Sequence, residues 1–269
     1  MSTACVRTQF ATLQGIQTEL VRGGCGQIVI FLHPGIGLFG AGSFFDVLAK
    51  RYEVVAPSHP GFGRSELPNW MSDIDDLAYF HLDLLRALDL RDVILVGSSF
   101  GGWIAAEMAV KSTERIAHLV LVDALGIKVG HRESRDIADI YGLPRSEIDR
   151  RSFVDAANKP DVMTMSDDDL AIFARNRESE ALFGWVPYMH NPKLLRRLTR
   201  IQIPTLVLWG ERDEIVSPDY GRAFAAAIPG AAFNAIENAA HYPHIEQPRR
   251  LAQQIEALGQ AAVERRVSA

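Results

Sequence analysis

The segment 97–101, with the sequence GSSFG, constrains the fold of this chain more than any other stretch. The residues before it, 93–96, form a continuous apolar run, which is typical of a strand covered on both faces of a parallel sheet. The residues after it, 103–109, have the composition and apolar spacing of a helix. A serine in such a strand-to-helix turn, here Ser99, projects its hydroxyl from the carboxyl edge of the sheet. Glycines flank it because a Cβ there would meet the adjoining backbone.

Strand-like and helix-like runs alternate along most of the chain, which predicts parallel strands joined by right-handed crossover helices. The strand-like runs lie at residues 27–32, 53–56, 92–96, 118–122, 205–209 and 232–236. Residues 8–22 alternate weakly around a glycine and predict an N-terminal hairpin. The pattern therefore predicts an α/β fold with a doubly wound, mostly parallel sheet of about eight strands.

Residues 128–199 interrupt this alternation, because the strand signal disappears there. The segment is charged and carries two helix-start signals, one at Pro144 and one at Ser166 with Asp169 three residues later. We interpret it as a helical cap inserted between two parts of the core, residues 1–127 and 200–269. An insertion at the carboxyl end of a parallel sheet lies over the place where ligands bind. The alternative is a set of surface helices with no role at the site.

Composition excludes several classes of protein. The 269 residues carry a net charge of −5 and no compensating basic run, which disfavours nucleic acid or an anionic membrane as partner. The apolar runs are too short to span a membrane. Cys5 and Cys25 have no metal-ligand spacing, and no secretory signal is visible. We expect a cytoplasmic protein with a small-molecule substrate, and the oligomeric state stays open.

Ser99 can act as a nucleophile only if a histidine takes its proton and an acid holds that histidine. His241 lies between the last predicted strand and the last helix, and Asp213 comes just after a buried strand. All three would lie on turns at the carboxyl edge of one sheet. Asp123 ends another buried strand and is an alternative acid for the same histidine.

The remaining histidines are interpreted as structural. We expect His33 and His59 to brace their loops, and His244 to lie at the start of the last helix. His81 is expected at a surface or partly buried position.

With these motifs in place, the chain resembles an α/β-hydrolase with a cap. Residues 210–213 (GERD) and 241–248 (HYPHIEQP) are similar to the acid and base loops of that family, and 33–37 (HPGIG) resembles its oxyanion loop. Two positions depart from the family pattern. Pro34 stands where glycine is usual, and Ser58 stands where an aspartate is frequent.

The resemblance implies a role for each of these residues. Ser99 would be the nucleophile, His241 the general base and Asp213 the acid that stabilises the imidazolium. The amides of Phe100 and Gly35 would form the oxyanion hole. No metal and no organic cofactor is required.

The cap contributes a cluster of aromatic and polarisable side chains, which either dock the cap or line a pocket. The predicted pocket residues are Ile36, Phe183, Trp185, Tyr188, Met189, His190 and Tyr242. The preferred function is a serine hydrolase that cleaves a small carboxylic ester, thioester or lactone with an apolar acyl or aromatic part.

Two alternatives stay open. One is a carbon–carbon bond hydrolase of ring-cleavage diketones. Such relatives tend to carry asparagine and tryptophan where this chain has Ser98 and Tyr242. The other is a non-catalytic small-molecule receptor on the same fold.

Overall fold

The computed structural model describes the chain over residues 6–267, with side chains over residues 6–258, so Cys5 lies outside the described residues. Within that range eight strands form one sheet in the order β1-β2-β4-β3-β5-β6-β7-β8. The strands are β1 Arg7–Leu13, β2 Ile16–Gly24, β3 Gln27–Leu32, β4 Tyr52–Pro57, β5 Val93–Ser98, β6 Ile116–Val122, β7 Thr205–Gly210 and β8 Ala232–Ile236.

Helices fill most of the connections between these strands. They are α1 Gly42–Leu48, α2 Ile74–Ala87, α3 Phe100–Lys111, α4 Arg145–Ser152, α5 Asp167–Gly184, α6 Leu194–Arg197, α7 Pro218–Ala227, α8 Pro243–Glu246 and α9 Pro248–Val267. Among the described residues, no helix combines the length and the apolar composition needed to cross a membrane.

The sheet is mostly parallel, as predicted. The β1–β2 hairpin and the β2–β4 pair are antiparallel, and every other neighbouring pair is parallel. One apolar cluster joins α2, α3 and α7 to one face of the sheet, and a second joins α1 and α9 to the other. The central strands are therefore covered on both faces, which explains why β5 and β7 are buried along their whole length.

The chain between β6 and β7 is helical and irregular, and its strand pairing is limited to isolated bridges among the described residues. Helix α5 begins where the sequence indicates, because the Asp169 amide donates a hydrogen bond to the Ser166 hydroxyl at 3.2 Å. Phe183 and Met189 join the apolar cluster on the α3 side of the sheet. The division of the chain at 127/128 and 199/200 stays a prediction.

Candidate active site

Ser99 lies in a strained turn between β5 and α3. Its φ of 51° and ψ of −114° are unusual for a residue with a side chain, and such strain persists only where the surroundings enforce it. A Cβ at Gly97 would overlap the carbonyl of Gly101, and one at Gly101 would overlap the carbonyl of Leu32. The helix and β3 therefore approach the turn as closely as glycine allows. The turn is held by a hydrogen bond from the Ser99 amide to the Val122 carbonyl at 2.8 Å.

Ser99, His241 and Asp213 form a continuous hydrogen-bonded chain. The Ser99 Oγ lies 2.7 Å from His241 Nε2, and His241 Nδ1 lies 2.8 Å from Asp213 Oδ2. All three residues are at most 3% exposed. Their loops follow β5, β8 and β7, so three distant stretches of the chain meet at one edge of the sheet.

The Asp213 carboxylate is oriented by backbone groups of its own loop. Its Oδ1 accepts hydrogen bonds from the amides of Ile215 at 2.8 Å and Val216 at 3.1 Å, which leaves Oδ2 for the histidine. These bonds fix the orientation of the carboxylate. Asp213, rather than Asp123, therefore contacts the histidine.

Asp123, the alternative acid, lies beside this pair and has a different environment. Its Oδ1 accepts a hydrogen bond from the Gly210 amide at 2.8 Å. Complete burial, followed by the charge of Asp213, holds the pKa of Asp123 well above its usual range. Both effects favour the protonated form of Asp123.

Donor atoms of Asp123, Asp213 and His241 lie within 4.8 Å of one another, a spacing that a metal ion could use. Both ring nitrogens of His241, however, are already hydrogen-bonded, to Ser99 and to Asp213. A ligating histidine needs one free nitrogen lone pair directed at the metal. The arrangement fits proton transfer better than metal binding.

The amides of Phe100 and Gly35, predicted as oxyanion donors, are available for a ligand. Within residues 6–267 neither N–H donates to another group of the chain. Phe100 is the first residue of α3, where the helix leaves its N–H without an intrahelical acceptor. In the other loop, the Gly37 amide donates to the Pro34 carbonyl at 2.8 Å, which closes the turn that carries Gly35.

Three buried histidines brace the Gly35 loop. The His59 amide donates to His33 Nε2 at 3.0 Å, so the proton of His33 is on Nδ1, which donates to the Pro34 carbonyl at 2.8 Å. His59 Nε2 donates to the His33 carbonyl at 3.0 Å, so its Nδ1 accepts a hydrogen bond from His81 Nε2 at 2.8 Å. His33 and His59 thus brace their loops, as predicted.

The expectation for His81 is wrong, because this residue is only 1% exposed. It lies on the buried side of α2, four residues after Leu77 and three before Leu84. Burial lowers the pKa of His33 to about 4 and that of His81 to about 3, so both rings are neutral near pH 7.

Ser58, which departs from the family pattern, is hydrogen-bonded to a carboxyl group on another strand. Its Oγ donates to Glu19 Oε2 at 3.0 Å, and the Arg64 amide donates to the same oxygen at 2.9 Å. Glu19 lies on β2, beside β4, and so provides the negative charge from across the sheet.

A cavity opens beside Ser99 and His241 and is lined mainly by apolar side chains, among them Ile36, Leu125, Ile148, Phe173, Met189 and Ile215. Its cavity volume is about 40 Å³, room for a few water molecules, so a larger ligand requires the lining side chains to move apart. Of the predicted pocket residues, Ile36, Met189 and Tyr242 line this cavity.

The other predicted pocket residues lie elsewhere. Trp185 is 54% exposed, and Phe183 packs in the core cluster. The Tyr188 hydroxyl donates to the Ala138 carbonyl at 2.8 Å and accepts from the Ile140 amide at 2.9 Å. Tyr188 and His190 line a different surface groove. The polar groups of Tyr188 and His190 are hydrogen-bonded to the backbone of the inserted segment itself, whereas Phe183 attaches the segment to the core cluster.

The sequence analysis did not identify Glu180, which lines the cavity and is 6% exposed. The signal was present, because Phe173, Asn176, Glu180 and Phe183 recur at helical spacing and are all buried. A carboxyl group stands where that pattern predicts an apolar residue. A buried ionisable side chain in a cavity is a candidate functional residue.

Comparison with known proteins was made on the sequence and on the fold. Residues 29–254 match the sequence model described as "Alpha/beta hydrolase family". The chain is 28% identical over 256 residues to a 2-hydroxymuconate semialdehyde hydrolase of Pseudomonas sp. (strain CF600), and the match covers 88% of each chain.

Two solved structures show the same fold. A meta-cleavage product hydrolase from Pseudomonas fluorescens IP01 superposes with a TM-score of 0.76 at 20% identity, over 94% of this chain and 98% of that one. Naproxen esterase from Bacillus subtilis superposes with a TM-score of 0.73 at 17% identity, over 94% and 91% of the two chains.

Proposed function

The chain belongs to the alpha/beta hydrolase family, and we propose that it cleaves a small carboxylic ester, thioester or lactone with an apolar acyl or aromatic part. Ser99, His241 and Asp213 act as nucleophile, general base and orienting acid. The observation that supports this most directly is the pair of hydrogen bonds, 2.7 Å and 2.8 Å long, that joins the three side chains.

In the first step His241 Nε2 removes the hydroxyl proton of Ser99 while Oγ attacks the carbonyl carbon of the substrate. The new bond pushes the π electrons of the carbonyl onto its oxygen. Asp213 stabilises the imidazolium that forms. His241 then gives the proton to the leaving group, and water hydrolyses the acyl-enzyme by the same route.

The oxygen that becomes negative is stabilised by the amides of Phe100 and Gly35. Neither N–H group has an acceptor among the residues that the structure describes, and Phe100 lies at the positive end of the α3 dipole. Loss of one such donor typically costs about 10²- to 10³-fold in turnover.

The apolar lining of the cavity supports an acyl or aromatic group of low polarity. Isoleucine, leucine and phenylalanine side chains line the cavity that contains Ser99, and helices α4 and α5 contribute Ile148 and Phe173. Residues 128–199 therefore act as a cap that shields the acyl-enzyme from solvent.

The test is the hydrolysis of p-nitrophenyl butyrate by Ser99→Ala. Removal of the nucleophile should lower kcat/KM by about 10⁴-fold or more, since a triad acts as a unit. Ser98→Ala is the matched control, because the neighbouring buried hydroxyl has no hydrogen-bond partner among the described residues. Wild-type turnover by Ser99→Ala would exclude the proposal.

Carbon–carbon bond hydrolysis is a second candidate, favoured by the 28% identical relative named as a 2-hydroxymuconate semialdehyde hydrolase. Against it stand Ser98 and Tyr242, at positions where such relatives tend to carry asparagine and tryptophan. Rapid loss of colour from a ring-cleavage dienol, with slower turnover of simple esters, would favour this second reaction.

A further inference from the structure

Glu180 projects from α5 toward the loop that carries Gly35. A Cβ added at Gly35 would overlap the Glu180 carboxyl group, so the two are in direct contact. Glu180 also lines the cavity that contains Ser99 and His241. A carboxyl group from the inserted segment therefore lies beside one of the two proposed oxyanion donors.

This carboxyl group is poorly satisfied by the rest of the protein. The Tyr141 hydroxyl donates to Glu180 Oε2 at 3.4 Å, which is a long and weak hydrogen bond. Among the described residues no cation lies within ion-pair distance of Glu180, and Arg177, one turn earlier, donates to the Ile140 carbonyl at 3.2 Å instead. A buried carboxylate without a counterion is costly, so the neutral acid is favoured.

The charged and titratable groups around Glu180 come from several elements. They are Arg177 of α5, Tyr141 and Tyr188 of the irregular chain on either side, His241 and Tyr242 before α8, and the paired Arg145 and Asp149 of α4. Burial raises the pKa of Glu180 to about 7, against a smaller opposing effect of the Arg177 and His241 charges. The carboxyl group thus holds its proton in the weakly acidic range.

We infer that neutral Glu180 is a third hydrogen-bond donor to the carbonyl oxygen of the substrate, beside the amides of Gly35 and Phe100. The inference rests on the proposed ester hydrolysis. As the Ser99 Oγ–carbon bond forms, the carbonyl oxygen takes the π electrons and becomes negative. The Glu180 O–H stabilises that charge with a hydrogen bond and keeps its proton throughout, so no proton is transferred.

Ionisation of Glu180 reverses its effect. A carboxylate beside the developing oxyanion offers no donor and repels the negative charge. We therefore expect kcat to fall as the pH rises through about 7. The change should appear mainly in kcat, because the charge on the carbonyl oxygen is present in the transition state and not in the bound ester.

The experiment compares pH profiles of kcat and KM for p-nitrophenyl butyrate between about pH 6 and pH 8.5, read where p-nitrophenol and its anion absorb equally. Glu180→Gln keeps an N–H donor and cannot ionise. We expect its kcat at pH 6 to stay within about threefold of wild type and its fall above pH 7 to vanish. Glu180→Leu, which has no donor, should lose about 10²-fold in kcat at pH 6 with little change in KM.

Glu178→Gln is the matched control, since it makes the same change at an exposed position of the same helix and should follow the wild-type profile. The inference is overturned if wild-type kcat does not fall above pH 7, if Glu180→Gln falls in parallel with wild type, or if Glu180→Leu matches wild type. Near-ultraviolet circular dichroism identifies a variant that fails to fold, and Glu180→Gln then carries the test.

Failure of the proposed function would look different. If Ser99→Ala is active, the proposed acyl-enzyme mechanism is excluded, whatever the pH profiles show. If Ser99→Ala is inactive and the pH profile of Glu180→Gln matches that of wild type, only the proposed role of Glu180 is excluded.

Discussion

The sheet edge and the inserted segment, residues 128–199, supply polar groups to the same cavity. Their buried carboxyl groups differ in the number of hydrogen bonds that they accept. Asp213 of the sheet edge accepts two backbone hydrogen bonds and one from His241. Glu180 of the inserted segment accepts one long hydrogen bond, from Tyr141. The first carboxyl is held in place by these hydrogen bonds, whereas burial raises the pKa of the second to about 7. The difference shows that hydrogen bonds, rather than residue type, decide what a buried acid can do.

The largest effect should come from Asp213→Asn, which alters the carboxyl group that makes three hydrogen bonds. The amide cannot hold the His241 Nδ1–H tautomer that the serine requires, so we expect kcat to fall about 10⁴-fold. The measurement is single-turnover hydrolysis of p-nitrophenyl butyrate. Asp123→Asn serves as the control, because His241 Nδ1 is hydrogen-bonded to Asp213, whereas Asp123 accepts a hydrogen bond from the Gly210 amide. An equal loss in both variants would make the two acids equivalent and contradict the comparison.

Gly35→Ala tests the contact between the two regions. The new methyl group would displace the Glu180 carboxyl or the loop, and we expect kcat/KM to fall about 10²-fold through the oxyanion donor. Glu180→Ala removes the carboxyl group that the new methyl group would overlap. The loss of kcat/KM in the double variant should therefore be smaller than the product of the two single losses. Strict additivity would mean that the two residues do not touch in solution.

Glu180 should also make stability depend on pH. Its pKa is about 7 in the folded protein against an ordinary value of 4.5, so the unfolded chain loses this proton first. The contribution is fully present below 4.5 and is lost as the pH rises to about 7. At about 1.4 kcal/mol per pKa unit the loss is about 3 kcal/mol.

Urea unfolding of wild type and Glu180→Gln at pH 4.5 and pH 7.5 measures this term. Between pH 4.5 and pH 7.5, the free energy of unfolding of Glu180→Gln should rise by about 3 kcal/mol relative to that of wild type. Glu178→Gln, on the exposed face, should show no such gain. A constant difference between wild type and Glu180→Gln would mean that the pKa of Glu180 is the same in the folded and the unfolded protein.

The smallest effect compares equivalent helix caps in the two regions. Asp73 accepts a hydrogen bond from the Asp76 amide at 3.0 Å at the start of α2, and Ser166 accepts one from the Asp169 amide at the start of α5. Replacement of either cap by alanine should cost about 1 kcal/mol. Because Phe183 ties α5 to the core cluster, we expect both variants to lower the urea midpoint equally.

Amide hydrogen exchange would reveal a different behaviour. If Ser166→Ala accelerates exchange in α5 but leaves the midpoint unchanged, the inserted segment opens independently of the sheet. That result would place Glu180 and Asp213 on two separate cooperative units, the inserted segment and the sheet.

Most of the sheet could be predicted because its signals are local. Apolar runs of strand length followed by helical spacing indicate parallel crossovers, and β3 and β8 begin and end where the sequence predicts, at residues 27–32 and 232–236. The turn at Ser99 was predictable for the same reason, since its flanking glycines report close approach of the backbone. His81 was misjudged because its burial depends on the packing of α2 against the sheet.

The sequence by itself predicted the α/β class, the order of the elements and the candidate residues Ser99, His241 and Asp213, with Asp123 as the alternative acid, because each lies next to a strand whose end is marked in the chain. Only the tertiary structure decided which acid contacts the histidine, which side chains of the inserted segment reach the cavity, and that Glu180 lies against Gly35. Those outcomes depend on packing between segments far apart in the chain, where a side chain's partners, and with them its charge, are set by neighbours that no local pattern records.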